Sequence, residues 1–170
     1  MTELTSAPLP PLSADDHVRG PEDAVAVIVY GDFECPYCAA AAAHLADVSL
    51  RMAFRHFPVR SSHPRAWAAA AAAEAAARQG RFWEMHDLLF ADQGRLEDPH
   101  LWARARALGL DLDRFEADRR SAEVEARIRR DFESGVRGGI VTTPTLVADG
   151  VVHAGRVDRQ SLEELSARTG

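Results

Sequence analysis

The chain's two cysteines, Cys35 and Cys38, are spaced C-x-x-C within Glu34-Cys35-Pro36-Tyr37-Cys38-Ala39. That spacing suits thiol chemistry, because a thiolate is the nucleophile and a second sulfur one helical turn away can close a disulfide with it. A continuous apolar run from Ala24 to Tyr30 precedes the pair, and an alanine-rich stretch follows it. A strand therefore feeds the cysteines into the start of a helix, where unpaired N–H groups and the macrodipole favour negative charge. Pro36 fits the first helical turn, where a missing N–H costs little. We expect Cys35 to be the exposed nucleophile of low pKa and Cys38 the more buried resolving thiol.

The elements that position these sulfurs follow from the pattern of residues. Residues 1–16 hold Pro8, Pro10 and Pro11 with little periodicity, and are expected to form a mobile arm. His17-Val18-Arg19 reads as a short edge strand before the Gly20-Pro21 turn. Residues 24–32 are apolar on both faces, as a central strand covered by helices on each side would be. A helix over 36–50 and a second strand over 52–59, stopped by Pro58, imply a parallel pair with a right-handed crossover.

From Ser62 the pattern turns helical, with helices expected over 63–78, 82–90, 98–109, 111–118 and 121–134. Gly135, Gly138 and Gly139 end that series. A strand over 140–147, interrupted by Pro144, leads to Asp149-Gly150, a hairpin signal. Residues 151–154 pair back, and 157–168 form a closing helix.

A chain of 170 residues, 46% apolar and 27% charged, is ordinary for one globular domain with a proper core. Its net charge of −6 and lack of a basic tract argue against a nucleic-acid partner. All 20 basic side chains are arginine, which removes lysine Schiff-base chemistry. Residues 1–20 lack the pattern of a secretory signal, and no apolar stretch reaches the roughly 20 residues of a membrane helix. We therefore expect a cytoplasmic protein without a membrane partner. In that compartment a C-x-x-C pair is catalytic or metal-binding rather than a structural staple.

Four segments together resemble the DsbA family of thioredoxin-like proteins: Gly31-Asp32-Phe33-Glu34-Cys35-Pro36-Tyr37-Cys38, Arg55-His56-Phe57-Pro58, Gly80-Arg81-Phe82-Trp83-Glu84-Met85-His86-Asp87-Leu88-Leu89-Phe90, and Thr143-Pro144-Thr145. The resemblance runs from about His17 to the C-terminus. It implies an α/β thioredoxin fold with an all-helical insertion between the second strand and the C-terminal β-hairpin. Residues 17–61 and 138–170 would form the thioredoxin-like part and 62–137 the inserted helical subdomain. It further implies dithiol–disulfide exchange without a cofactor, with protein or peptide thiols as substrates and a separate redox partner for recycling. Pro144 would be cis and lie against the cysteines, Thr143 would clamp the substrate backbone, and Pro36 and Tyr37 would tune and contact.

This sequence departs from the family at one position. Many relatives place a buried glutamate on the central strand, six residues before the first cysteine, where Val29 stands here. Without that acid Cys38 must lose its proton to water or to another group. Asp32 and Glu34 are the candidates, although neither lies at the matching place, and both could instead raise the Cys35 pKa by like-charge repulsion. Pro36-Tyr37 replaces the Pro-His of strongly oxidising members, so we expect a less stabilised thiolate and an intermediate or reducing potential.

Other readings stay open on residues alone. A zinc site needs about four ligands, so His44 and His56 would have to join the two cysteines. His56 and His63 read more simply as structural histidines than as acid–base groups. The cluster around Phe82, Trp83, Met85, Leu88 and Leu89 reads as core, with a peptide groove as its alternative. Pro36-Tyr37 is also the glutaredoxin dipeptide, so a glutathione-linked reductase is a rival, with Arg55 or Arg60 as its cationic site. A non-enzymatic chaperone or partner-binding module is a second rival.

Overall fold

A computed structural model describes residues 6–167. The strand expected over 24–32 is β2, Ala26–Gly31, and four of its residues show why it is central. Val27 and Val29 point into one apolar cluster with Met52, Phe54 and Leu146, whereas Ile28 and Tyr30 point into another with Ala53, Phe57 and Val147. Alternation along a strand separates the two sets, and burying both requires cover on each face.

Around β2 the sheet has the order β1-β3-β2-β4-β5. β1 is His17–Arg19, β3 Arg51–His56, β4 Thr145–Ala148 and β5 Val151–Ala154. β2 and β3 run parallel, with Val29 opposite Phe54, and every other neighbour is antiparallel. Asp149 at φ 50° and Gly150 at φ 75° turn β4 into β5, the two positive φ values of a primed hairpin turn.

α1, Pro36–Ala46, links β2 to β3. It stops short of the expected residue 50, because Asp47 caps it and Val48 to Leu50 turn the chain back to meet Val25. Between β3 and β4 lie α2 (Ala66–Ala77), α3 (Phe82–Ala91), α4 (Asp98–Ala107), α5 (Leu112–Asp118) and α6 (Ala122–Arg137). α7, Arg159–Ser166, closes the chain; the expected end of that helix at residue 168 lies outside the described residues. This is the thioredoxin arrangement with a helical insertion. β4 begins only at Thr145, since Pro144 has no N–H for the ladder and residues 140–144 form a loop instead.

One face of the sheet is covered by α1, α2, α3 and α7. The other is covered by α6 and by the segment expected to be a mobile arm, whose first five residues lie outside the described part. Within the described part, Leu9 and Leu12 pack against the second cluster. Arg55, 4% exposed on β3, holds the segment down. Its Nη1 and Nη2 donate to the carbonyls of Pro10 and Pro11 at 2.7 Å each, and its Nε and Nη2 donate to the Asp16 carboxylate at 2.8 Å each. A proline-rich strand offers carbonyls with few N–H groups of its own, and a buried guanidinium with five donors matches that deficit.

Candidate active site

Cys35 is the N-cap of α1, extended at φ −76° and ψ 121°, and Pro36 opens the helix behind it. The cap carries no side-chain acceptor for the helix N–H groups, so they remain available to the sulfur. Both cysteines are free thiols. Cys35 is 3% exposed, not the exposed thiol expected from its place at a helix mouth. The loop before β4 covers it: Cys35 Sγ lies 3.5 Å from the carbonyl oxygen of Thr143. The Thr143–Pro144 peptide bond is cis, and Pro144 is buried. Pro36 and Tyr37 lie on the open side, with Tyr37 58% exposed. The six residues singled out in the sequence thus meet at one place.

The two sulfurs are unlike. The Cys38 thiol donates to Cys35 and, above all other contributions, holds its pKa down to about 5. Burial works against that, while Thr143 and the backbone N–H groups of Cys38 and Tyr37 assist. The same sulfur–sulfur hydrogen bond, with burial, pushes the Cys38 thiol far up. The Asp32 backbone N–H also donates to Cys38 Sγ at 3.4 Å. Cys35 is thus well stabilised as a thiolate relative to an ordinary thiol, with no histidine between the two cysteines. Neither acid is among the main causes of the Cys35 shift, because both are tied into the loops.

Asp32 is 1% exposed and accepts from the Glu34 N–H, the Val59 N–H and His63 Nδ1, each at 2.8 Å. It fastens the turn before Cys35 to the connection between β3 and α2. Glu34 accepts from the Arg65 N–H at 2.6 Å. From the other side Gln93 reaches in from the α3–α4 connection, its Nε2 donating to the carbonyls of Phe33 at 2.8 Å and Cys35 at 2.9 Å. Gln93 carries no mark in the sequence, since nothing local to Asp92-Gln93-Gly94 says which distant carbonyls it will meet. His56 lies away from the sulfurs, 1% exposed, with Nε2 2.7 Å from Glu74. Arg55, a candidate glutathione contact, is fully taken up by the N-terminal segment and Tyr30. Arg60 stacks on Trp67 at 5.3 Å. Among the described residues no three His, Cys, Asp or Glu side chains come together as a metal site.

A family profile described as Thioredoxin matches residues 12–167. The chain belongs to the thioredoxin family. Over 156 residues it is 46% identical to part of the Na(+)/H(+) antiporter NhaA 1 of Salinispora arenicola, covering 86% of this chain and 24% of that protein. The chain spans about a quarter of the length of the curated relatives it matches. Among solved structures it resembles a thioredoxin-like oxidoreductase from Silicibacter pomeroyi, with a TM-score of 0.82, 26% identity and 92% of each chain covered. The thiol-disulfide exchange protein alpha-DsbA2 of Wolbachia pipientis shares the fold at a TM-score of 0.82 and 19% identity, over 92% of this chain and 88% of that one. Both neighbours superpose over 92% of this chain, a span that takes in the helices between β3 and β4.

Proposed function

We propose that the protein is a dithiol–disulfide oxidoreductase acting on protein or peptide thiols through Cys35 and Cys38. The asymmetry of the two sulfurs carries this reading: one is held as a thiolate at neutral pH while its neighbour keeps its proton. In the reducing direction the Cys35 thiolate attacks a substrate disulfide, one substrate sulfur leaves, and a mixed disulfide forms. Cys38 then attacks Cys35, the protein disulfide closes, and the second substrate sulfur leaves reduced. The oxidising direction reverses these steps. Thr143 clamps the substrate backbone beside Cys35, Pro144 shapes that loop, and the exposed Pro36 and Tyr37 form the near rim.

The low Cys35 pKa also bears on direction. At pH 7 it stabilises the reduced pair by roughly 3 kcal/mol over an ordinary thiol, which makes the disulfide about 60 mV more oxidising. A Cys38→Ser variant should trap a mixed disulfide with a disulfide-bonded peptide, one peptide sulfur leaving as the thiol, and Cys35→Ser should trap none. Absence of capture, together with a wild-type pair that does not cycle in a glutathione redox buffer, refutes the proposal.

A further inference from the structure

In dithiol exchange Cys38 must lose its proton as it attacks Cys35, yet this thiol is buried and Val29 beside it offers no acid or base. Below Cys38 the structure leaves a void of about 10 Å³, walled by residues that include Val29, Ala42, Met52, Phe54 and His86. That is room for about one water. Of all the side chains lining it, only Cys38 and His86 titrate.

His86, on α3, is 1% exposed and packed among aromatic rings, with Phe54 and Phe90 at centroid distances of 5.0 and 4.9 Å. Its Nδ1 lies 2.8 Å from Asp87 Oδ1. The carboxylate fixes the proton on Nδ1 and leaves Nε2 as an acceptor. Asp87 faces an open groove of about 520 Å³, which shares the wall of Ala42, Leu45, Met52 and Phe90 with the void. Arg19 Nη1 donates to both Asp87 oxygens there at 2.9 Å. His86 thus lines the void that Cys38 also lines and is bonded through Nδ1 to a charged pair in contact with solvent.

We propose, on the basis of the dithiol reading of the site, that His86 is the proton acceptor for Cys38 in resolution of the mixed disulfide. As Cys38 Sγ forms its bond to Cys35 Sγ, its proton passes across the void to His86 Nε2. The Cys35–substrate S–S bond breaks, and its electron pair leaves on the substrate sulfur. The imidazolium then gives up its proton towards Asp87 and the groove. In the reverse direction it returns a proton to Cys38.

The charged and titratable groups around His86 set its readiness. Burial is the chief cause that holds its pKa down to about 4, Arg19 on β1 and His56 on β3 add to that, and Asp87 opposes. His56 is in turn bonded to Glu74 of α2. The ring is therefore neutral and able to accept at pH 7, and it does not retain the proton.

Stopped-flow single turnovers with the symmetric disulfide of a fluorescent cysteine peptide separate attack by Cys35 from resolution by Cys38. His86→Phe keeps an aromatic ring in place and should slow resolution roughly tenfold or more at pH 7, with the attack rate and the Cys35 titration unchanged. Asp87→Asn, at a half-exposed position, should slow it about threefold by loosening the tautomer. Val29→Glu in the His86→Phe background places a carboxyl in the same void and should restore much of the rate. If His86→Phe does not fold, Asp87→Asn decides. Wild-type resolution rates in the folded variants overturn this proposal alone, whereas a wild-type protein that forms no mixed disulfide overturns the dithiol reading and this proposal with it.

Discussion

Replacing Cys38 with alanine removes the contribution that weighs most on Cys35. The Cys38 thiol is the leading donor to the Cys35 thiolate, and a hydrogen bond to a charged group contributes about 1.5–3 kcal/mol. At 1.36 kcal/mol for each tenfold change in the proton equilibrium, its loss should raise the Cys35 pKa from about 5 to roughly 6–7. The shift stops there because the Cys38 and Tyr37 backbone N–H groups remain aimed at the sulfur. Cys38→Ser keeps a hydroxyl donor and should stay closer to wild type. The rate of iodoacetamide alkylation against pH reads the midpoint directly, and thiolate absorbance gives an independent curve. A Cys38→Ala protein that still titrates near 5 refutes the reasoning and hands the whole effect to the helix start.

Three further outcomes are expected. Burial leaves His86 with a pKa of about 4 in the folded chain, below its unfolded value, so the unfolded state binds more protons between about pH 6.5 and 4 and stability falls with pH across that window, by up to about 3 kcal/mol. Glu74, held low by His17 and His56 against the pull of burial, loses its contribution in the same acid direction. Thermal melts from pH 7 to 4 should show the decline, and His86→Phe should flatten it. Gly135→Ala puts a methyl 2.8 Å from two Phe57 ring carbons and 3.1 Å from Tyr30 Cδ1; overpacking of about 1–3 kcal/mol outweighs the gain in helix propensity, and the urea midpoint should drop. Gln93→Ala leaves the Phe33 carbonyl without its donor, while the Cys35 carbonyl keeps the N–H groups of Cys38 and Ala39; this should cost about 1–3 kcal/mol in the same measurement.

The elements that reveal themselves in the sequence are those whose cause is local. The two-faced burial of Val27 to Tyr30, the Asp149-Gly150 turn and the cysteine pair opening an alanine-rich helix each depend on neighbours in the chain. What stays hidden depends on a distant partner. Arg55 sits in a strand of mixed polar and apolar residues and offers itself in the sequence as a cationic contact for glutathione, but its partners are Tyr30 and a segment 39 to 45 positions away. The burial of Cys35 comes from a loop 108 positions later, and the Gln93 contact spans about 60. The end of α1 is illegible for a related reason: alanine favours helix wherever it occurs, whereas the return to β3 sets the stopping point.

Nine residues of α2 are buried, and all but one of them are alanine. A helix face made of identical methyl groups packs almost equally well if it rotates by one residue or slides by one turn, so apolar burial alone leaves its register degenerate. The exception is Glu74, whose Oε1 lies 2.7 Å from both His17 Nε2 and His56 Nε2. Only one axial and rotational setting brings that oxygen to two imidazoles on two different strands. The least varied stretch of the chain is thus indexed by a single carboxylate, and its neighbours, at or near zero exposure, leave little room for substitution by anything larger than a methyl.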